Sequence, residues 1–437
     1  MDKVFIKFPV RIALLGCGTV GGGVIRLIEE NREYLQSRVG AQLEIVHVLV
    51  RDMEKDRVPE CRREWITTDP DVALGDDVDV VVEVMGGEEP ARSYFERAIE
   101  RGKCIVTANK LLLAKHGPEL VERAIERGVD LAFEASVGGG IPVIRTLREA
   151  LTSDWVETVH AILNGTNNYI LTRMRDAGVS FETALAEAQA KGYAESDPTL
   201  DVSGHDAMQK LVVLSMLAFG AKVPLSDVPV EGITEIDQLD FHFADRFGYT
   251  IKHLAIGRDE GERLSLRVHP ALIPKSSVLA NIDGVLNGVF LRGRALGPCL
   301  LVGQGAGDMP TAVSVVADIV DVARSKIEGE PGLSTRAIQM KVRPLVPPSE
   351  TTARYYLRFD VDDAPGVLGR IASILGEQGV SIEQMMQEGR ALDAGAPVPV
   401  LIITHECLEG RLGLALSAIS REQFLRGKPR LLRIEEI

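Results

Sequence analysis

The stretch that decides the fold is Val10-Arg11-Ile12-Ala13-Leu14-Leu15-Gly16-Cys17-Gly18-Thr19-Val20-Gly21. Apolar residues fill most of its first half and predict a buried strand, and its second half is a GxGxxG turn that leads into a helix. Gly16 permits a tight turn, Gly18 lets a pyrophosphate approach the backbone, and Gly21 lets the helix pack closely on the strand. Such a turn also occurs without a ligand, but its place between strand and helix favours a dinucleotide site at the helix N-terminus.

The chain up to about residue 135 alternates between short β-branched runs and stretches with helical spacing. This alternation predicts a parallel sheet with crossover helices, the Rossmann-like arrangement of an α/β domain. Strands are predicted at Val10–Leu15, Leu43–Val50, Asp79–Val84, Cys104–Thr107 and Val129–Phe133, and helices at Val20–Leu35, Pro90–Arg101 and Pro118–Arg127. We expect residues 1–135 to form a dinucleotide-binding domain.

The pattern changes after residue 135, and residues 136–307 predict an α+β domain. Its predicted elements are a strand at Val156–Leu163, helices at Thr166–Ala177 and Phe181–Ala190, a long helix from Gly204, and strands at Val230–Ile236, Ile251–Ile256 and Leu264–Val268. A helix at about 308–327 is expected to return to the first domain, with Asp308 as its candidate N-cap and Pro310 in its first turn.

Prolines at positions 331, 344, 347 and 348 make residues 328–352 the candidate linker. Beyond it, residues 353–437 predict the β-α-β-β-α-β order of a ferredoxin-like fold. The elements are predicted at Arg354–Val361, Gly366–Gln378, Ser381–Gln387, Val398–Thr404, Leu412–Ile419 and Arg430–Ile434.

Composition argues against several classes of protein. The 437 residues suggest about three domains of roughly 150 residues each. The net charge of −14 argues against nucleic acid or an anionic membrane as partner. Five cysteines without metal-ligand spacing, and no uninterrupted apolar leader, predict a cytoplasmic protein. The longest apolar run, Leu211–Ala221, is shorter than the roughly 20 residues that span a bilayer.

Residues at the predicted carboxyl ends of the strands are candidate cofactor contacts, because open α/β sheets bind ligands there. Arg51 and Asp52 follow the second strand, where an arginine accommodates the 2′-phosphate of NADP and an acid favours NAD. We favour NADP and keep NAD open, and Arg51 can equally be a solvated surface residue. The other candidate cofactor contacts are Gly16, Gly18, Thr19, Val20, Gly21, Thr107, Ala108, Asn109, Lys110, Gly303 and Gly305.

The segment Gly192–Lys210 brings several charged residues to the start of a helix that is otherwise apolar and therefore buried. Asp206 and Lys210 are four residues apart and share one face of this helix. A buried ammonium needs a partner, which Asp206 supplies, and Glu195 and Asp201 can project from the preceding loop. The alternative is an exposed ion pair. Four charged groups beside an apolar helix favour a functional site.

Two other glycine-rich turns allow two interpretations each. Glu134 and the following Val137–Ile141 segment form either a hinge or a backbone-carbonyl site for a hard cation, with Glu134 adding a carboxylate. Gly303–Gly307 is either a second backbone approach to the cofactor or the entry turn of a helix.

Together these motifs resemble homoserine dehydrogenase, and the resemblance runs in order from residue 10 to about 325. It is carried by Gly16–Gly21, Thr107–Lys110, Phe133–Pro142, Asn164–Leu171, Gly192–Lys210 and Gly303–Gly307. The commonest family form has Thr where Asn167 stands. Residues Asp360–Gly369 resemble an ACT domain, a module that usually binds a regulatory amino acid.

The resemblance implies NAD(P)H-dependent reduction of L-aspartate 4-semialdehyde to L-homoserine, within threonine, methionine and isoleucine biosynthesis. It implies that Lys210 stabilises the developing alkoxide and donates a proton, with Lys110 as a second catalytic lysine and Asp206 as their positioning partner. It places the substrate ammonium on Glu195. The further substrate-binding residues that it implies are Asp201, Thr166 and Tyr193.

A monovalent cation, typically sodium, is also implied by the resemblance, held by Glu134 and the carbonyl groups of Val137, Gly139 and Ile141. It implies a homodimer or homotetramer, and threonine as the first candidate effector of the ACT domain. Because few residues precede Val10, we expect a monofunctional enzyme.

Two other functions stay open at this stage. Another amino-acid dehydrogenase of similar architecture, such as one acting on aspartate, would share the dinucleotide turn but would not predict the Glu195–Lys210 arrangement. A non-catalytic sensor of nicotinamide and of an amino acid would leave Lys110 and Lys210 without a role.

Overall fold

The computed structural model describes residues 8–336, 338–387 and 397–437, so the first seven residues of the predicted first domain lie outside it. The strands are β1 (Val10–Leu15), β2 (Leu43–Leu49), β3 (Ile66–Thr67), β4 (Val80–Glu83), β5 (Cys104–Thr107), β6 (Leu131–Ala132), β7 (Val156–Ile162), β8 (Ala221–Lys222), β9 (Tyr249–Glu260), β10 (Arg263–Pro274), β11 (Leu286–Gly293), β12 (Gly297–Gln304), β13 (Lys341–Val342), β14 (Thr352–Val361), β15 (Ile382–Gln387), β16 (Val398–Thr404), β17 (Cys407–Leu408) and β18 (Arg430–Ile434).

The α-helices vary in length from 3 residues in α6 to 21 residues in α12. They are α1 (Thr19–Glu30), α2 (Arg32–Val39), α3 (Pro70–Ala73), α4 (Ala91–Glu100), α5 (Lys110–Arg127), α6 (Val143–Arg145), α7 (Gly165–Ala177), α8 (Phe181–Ala190), α9 (Thr199–Val202), α10 (His205–Ala218), α11 (Gln238–Arg246), α12 (Asp308–Glu328), α13 (Leu333–Arg336), α14 (Val367–Glu377) and α15 (Glu409–Ile419). No helix among the described residues is both long enough and apolar enough to cross a bilayer.

The described residues divide into two compact units, the first formed by those within 8–165, 205–228 and 285–343. Its main sheet has the order β3-β2-β1-β4-β5-β6, with all neighbouring strands parallel. This is the strand order of a Rossmann fold, in which the direction of winding reverses between β1 and β4. The predicted α/β class is therefore confirmed.

Helix α12 returns to this sheet, as the sequence predicts, and packs on α1. A Cβ on Gly23 of α1 would lie 3.0 Å from the Cβ of Ala312, so the glycine allows the close contact. The first unit also contains an antiparallel sheet of order β12-β11-β7 and the buried helix α10.

The second unit comprises residues 166–204, 229–284 and 344–437. The hairpin β9–β10 continues through β18, which is parallel to β10, into the order β18-β14-β16-β15. These last four strands are antiparallel and, with α14 and α15 on one face, form the predicted ferredoxin-like module. Its core contains Tyr355, Leu357 and Phe359 from alternate positions of β14.

Several predicted elements are wrong. The predicted strand Val230–Ile236 is reduced to an isolated bridge between Val230 and Val268. The predicted linker 328–352 stays a prediction, and it contains the short elements α13 and β13, of which β13 pairs with β8. Asp308 is not the N-cap of α12, because the cap position is Gly307 and Asp308 is the first helical residue.

Other boundaries shift for identifiable local reasons. Helix α5 begins at Lys110 rather than at Pro118, because the Asn109 side chain accepts a hydrogen bond from the Leu112 N–H and caps the helix. The predicted helix Val20–Leu35 breaks at Asn31 into α1 and α2. The glycine-rich hairpin β11–β12 has no counterpart among the predicted elements.

Candidate active site

The glycine turn after β1 has the geometry that a dinucleotide requires. Gly16 has a φ of +100°, which favours glycine, and a Cβ on Gly21 would overlap the carbonyl oxygen of Gly16. A Cβ on Gly18 would meet nothing within 4 Å, so open space lies in front of this residue. Helix α1 begins directly afterwards at Thr19 without a side-chain cap, which leaves its first N–H groups for an anion.

A hydrogen-bonded network joins the carboxyl ends of β4 and β5 beside this turn. The buried Glu83 carboxylate accepts hydrogen bonds from the Thr107 hydroxyl (2.8 Å) and from the N–H groups of Met85 (2.8 Å) and Gly86 (3.0 Å). Burial raises the pKa of Glu83, and these hydrogen bonds offset part of that effect. Thr107 in turn accepts from the Asn109 N–H at 2.9 Å, so the network fixes the predicted Thr107–Lys110 segment.

Arg51 and Asp52 lie just beyond the carboxyl end of β2, as predicted, and both are exposed. The Asp52 carboxylate accepts from the Glu54 N–H at 2.9 Å, which closes a turn. Arg57 donates to the carbonyl of Lys55 at 2.6 Å and to that of Asp52. The tip of β2 is therefore a loop of mixed charge that is organised by its own backbone.

The two lysines singled out by the sequence bind one carboxylate. The Nζ of Lys210 lies 2.7 Å from Asp206 Oδ2, and the Nζ of Lys110 lies 2.7 Å from Asp206 Oδ1. Lys210 also donates to the Leu163 carbonyl at 2.7 Å, and the Asn164 amide donates to Asp206 Oδ2 at 2.8 Å. Asp206 and Lys210 are buried on α10, whereas the Lys110 side chain is 35% exposed at the start of α5.

The electrostatics of this cluster keep Asp206 ionised. Burial raises the pKa of the Asp206 carboxyl, but the charges and hydrogen bonds of Lys210 and Lys110 outweigh burial and hold the pKa below its ordinary value. Two ammonium groups beside one carboxylate leave a net positive charge. Such a site can stabilise an oxyanion and deliver a proton to it.

The predicted substrate-binding residues Thr166, Tyr193, Glu195 and Asp201 belong to the second unit, whereas Asp206 and both lysines belong to the first. The Thr166 hydroxyl donates to the Tyr193 carbonyl at 2.6 Å. Glu195 is exposed, and its backbone carbonyl accepts from the Gln189 amide at 3.1 Å.

Asn167 organises the remainder of this segment. Its Nδ2 donates to the Asp201 carbonyl at 2.7 Å and lies 3.1 Å from His253 Nδ1. Within the second unit, the structure therefore brings Asp201 together with Asn167.

The loop assigned to a cation uses most of its polar groups within the protein. The Glu134 carboxylate accepts from the N–H groups of Ile144 (2.9 Å) and Arg145 (2.7 Å), so it caps α6. The Gly139 carbonyl accepts from the Ser314 hydroxyl at 2.6 Å, and the Ile141 carbonyl accepts from the Val143 N–H at 2.8 Å. Carbonyl and carboxylate oxygens each carry a second lone pair, so these hydrogen bonds are compatible with a hard cation.

The Gly303–Gly307 turn packs directly on this loop. The Gly140 N–H donates to the Gln304 carbonyl at 3.1 Å, and a Cβ on Gly139 would lie 2.6 Å from the backbone of Gly305. Gly303 lies at the end of β12, where a Cβ would approach Ile141 to 3.1 Å. Close contacts at glycines therefore hold the Gly303–Gly307 turn against the Val137–Ile141 loop within the first unit.

Two site residues are absent from the predicted set. Glu83 ends the apolar strand β4, and a lone acidic residue at the carboxyl end of a parallel strand was the available signal. Asn164 lies in a motif that carries the resemblance, but a sequence gives no sign that its amide reaches Asp206.

Comparison with known proteins identifies the class. The family model "Homoserine dehydrogenase, NAD binding domain" matches residues 16–134, "Homoserine dehydrogenase" matches residues 142–320, and "ACT domain" matches residues 355–421. With the Rossmann sheet and its glycine turn, these matches define an NAD(P)-dependent oxidoreductase.

Relatives cover almost the whole chain. The homoserine dehydrogenase of Pseudomonas aeruginosa is 42% identical over 98% of this chain and 99% of its own length. A crystal structure of a homoserine dehydrogenase from Thiobacillus denitrificans superposes with a TM-score of 0.92 at 40% identity, covering 98% of this chain and 99% of that one. A hyperthermophilic archaeal homoserine dehydrogenase in complex with NADPH gives a TM-score of 0.61 at 26% identity, over 72% of this chain and 98% of its own. The chain belongs to the homoserine dehydrogenase family.

Proposed function

We propose that Lys210 and Lys110 are the catalytic lysines of the homoserine dehydrogenase reaction, the reduction of L-aspartate 4-semialdehyde to L-homoserine. The observation that carries this proposal is the binding of both ammonium groups to the one buried carboxylate of Asp206 at 2.7 Å. Bound reduced nicotinamide supplies the hydride. Lys210 stabilises the negative charge that develops on the aldehyde oxygen and donates a proton to it, while Asp206 holds both lysines in place.

The ammonium group of the substrate needs a partner of opposite charge. We assign the substrate ammonium to Glu195, whose exposed carboxylate is available to a cation. Asp201, Thr166 and Tyr193 complete the proposed substrate-binding set. The hydrogen bond from Thr166 to the Tyr193 carbonyl supports a preformed loop.

NADP is the proposed preferred cofactor, with NAD as the alternative. Support comes from Arg51 at the tip of β2 and from the NADPH bound by the archaeal relative. The proposed contacts are Gly16, Gly18, Thr19, Val20, Gly21, Arg51, Thr107, Ala108, Asn109, Lys110, Gly303 and Gly305.

A monovalent cation, sodium by our proposal, would bind the carbonyl groups of Val137, Gly139 and Ile141. Glu134, from the same loop, would add a carboxylate oxygen. The proposal rests on the chemistry of these hard oxygen donors, which suit a small cation.

The remaining proposals concern regulation, assembly and domain division. The ACT domain fits feedback by an amino acid, and we propose threonine as the effector. We also propose a homodimer or homotetramer in the cytoplasm, without nucleic-acid or membrane partners. The proposed cofactor-binding domain is 1–135 with the return helix 308–327, and the proposed catalytic and dimerisation domain is 136–307. The proposed linker is 328–352, and the proposed ACT domain is 353–437.

The test is loss of absorbance at the reduced-nicotinamide band with purified protein and L-aspartate 4-semialdehyde. NADPH and NADH are compared in parallel, with and without threonine and with sodium or choline as the cation. Oxidation of the reduced nicotinamide by wild type but not by Lys210→Ala supports the proposed site. A faster rate with NADPH than with NADH supports the proposed cofactor preference. Turnover unchanged in Lys210→Ala would overturn the assignment.

A further inference from the structure

The ferredoxin-like module makes an ionic contact with the strand-rich part of the second unit, through an arginine that is buried and a glutamate that is half exposed. Arg433 on β18 is 9% exposed and lies 2.8 Å from the carboxylate of Glu231. Its guanidinium also binds both oxygens of Glu409, at 2.6 and 2.9 Å, at the start of α15. The Tyr355 hydroxyl donates to the same Glu409 carboxylate at 3.2 Å. Arg433 therefore links the core of the module to Glu231.

Glu231 lies in a short segment that is held on both sides. Its N–H donates to the Val268 carbonyl on β10 at 2.8 Å. Two residues further on, the Ile233 N–H donates to the Val202 carbonyl at 2.9 Å, and a Cβ on Gly232 would overlap that same carbonyl. The segment thus packs directly on the backbone next to Asp201.

A histidine and an asparagine extend the contact to Asp201 itself. His253 Nε2 lies 3.0 Å from the Glu231 carbonyl, and its Nδ1 lies 3.1 Å from the Nδ2 of Asn167. The neutral Nε2–H tautomer satisfies both contacts, because Nε2 donates to the carbonyl and Nδ1 accepts from the amide. The second hydrogen of Asn167 Nδ2 goes to the Asp201 carbonyl at 2.7 Å.

This connection depends on an amide at position 167. An amide nitrogen has two hydrogens, one for His253 and one for the Asp201 carbonyl. A threonine has a single hydroxyl hydrogen and can donate to only one of them. The full connection therefore requires the amide of Asn167.

We infer that Arg433 is a positioning residue of the substrate loop, acting through Glu231, His253 and Asn167 on Asp201. Binding events in the ACT module that move α15 would then change substrate affinity through this contact. The inference rests on the proposed substrate role of Asp201.

The test uses steady-state kinetics of the full chain with L-aspartate 4-semialdehyde and NADPH. Arg433→Met and Glu231→Gln should each raise the KM for the semialdehyde roughly tenfold, the effect of losing about one charged hydrogen bond, with the KM for NADPH unchanged. The double variant should be no worse than either single one, because both remove the same contact. Asn167→Thr should give a smaller rise in the same KM.

Arg358→Met is the matched control. Arg358 is also a buried arginine of the module, 5% exposed, and it binds two carboxylates, Asp237 and Asp240, away from this connection. Arg358→Met should lower the melting temperature and leave the KM values for the semialdehyde and for NADPH unchanged. Equal shifts in the semialdehyde KM for Arg358→Met and Arg433→Met, or no shift for Arg433→Met, would overturn the inference. If Arg433→Met does not fold, the semialdehyde KM of Glu231→Gln tests the inference. The Glu231 side chain is 47% exposed, so we expect this variant to fold.

Asp201→Asn separates this inference from the proposed site. If Asp201→Asn raises the semialdehyde KM and Arg433→Met and Glu231→Gln do not, the positioning role fails and the site stands. If Asp201→Asn has no effect, the substrate role of Asp201 fails, and the inference fails with it.

Discussion

Lys110 and Lys210 bind opposite oxygens of a single buried carboxylate, each at 2.7 Å from Asp206. The two lysines lie on different helices of the same unit, Lys110 at the start of α5 and Lys210 in the second turn of α10. One carboxylate thus fixes the separation of two cationic groups. This arrangement is suited to binding an oxygen that becomes negative, because the donors are in place before the charge develops.

Lys210→Ala should lower kcat by roughly 10² to 10⁴, the usual contribution of a general acid, while the Kd for NADPH stays within about twofold. The expected readouts are absorbance loss for turnover and NADPH fluorescence for binding. Lys222→Ala is the matched control, because Lys222 pairs with Glu122 on the surface of the same unit. Equal activity of the two variants would contradict a catalytic role.

Asp206→Asn should destabilise the protein by about 3 kcal/mol at neutral pH, because it leaves Lys210 buried without a counter-charge. Lys110, which is 35% exposed, contributes less to this loss. The pKa of Asp206 is lowered in the folded protein, so its stabilisation is complete above the unfolded pKa of about 3.9. It is lost as pH falls through the folded pKa.

Urea unfolding of wild type and Asp206→Asn across the acid range measures this difference. The gap in unfolding free energy between the two proteins should narrow below about pH 4. A gap that stays constant or widens in acid would show that Asp206 is not held ionised by the lysines.

Gly18→Ala should fold normally yet bind NADPH roughly 10- to 100-fold more weakly, the loss expected for one or two hydrogen bonds to a charged ligand. Its Cβ meets no protein atom within 4 Å, so it occupies only the space proposed for the pyrophosphate. Gly413→Ala, on α15 and equally open, is the control and should leave the Kd unchanged. Unaltered NADPH affinity in Gly18→Ala would place the cofactor elsewhere.

Arg51→Ala should raise the KM for NADPH about tenfold and leave that for NADH unchanged, because only NADPH carries the 2′-phosphate. Arg63 is exposed nearby and pairs with Glu54 at 2.9 Å, so Arg63→Ala controls for loss of surface charge. A parallel change for both cofactors would show that Arg51 has no role in discrimination.

Asp240→Asn should remove a pH dependence of stability in the mildly acidic range. Burial raises the pKa of Asp240 to about 6, with the neighbouring Arg358 opposing the effect. The carboxyl therefore costs nothing below the unfolded pKa of about 3.9, destabilises the protein progressively between that pH and about 6, and above about 6 costs a constant amount of about 3 kcal/mol.

Melting curves between about pH 4 and 6.5 measure this slope. Wild type should lose stability over this range relative to Asp240→Asn, which keeps a side-chain oxygen for Arg358. If the two proteins show the same pH dependence, Asp240 does not titrate in this range.

Local patterns predicted much of the fold. Strands Val10–Leu15, Cys104–Thr107, Val398–Thr404 and Arg430–Ile434 are confirmed at their predicted bounds, as is helix Phe181–Ala190. Their hydrophobic periods and flanking turn residues are properties of neighbours in the sequence. The hairpin β11–β12 was missed because Gly297, Pro298 and Gly303 mask the strand signal.

Local sequence patterns were sufficient to predict the glycine turn and its dinucleotide ligand, the i,i+4 relation of Asp206 and Lys210, and the order of the ferredoxin-like module. The folded chain was needed to show that Lys110 shares Asp206, that Glu83 fixes the Thr107 segment, and that Arg433 reaches Glu231. The physical reason is that turn and helix geometry depend on adjacent residues. The pairing of distant charges depends instead on which side chains burial removes from water, and therefore on the path of the whole chain.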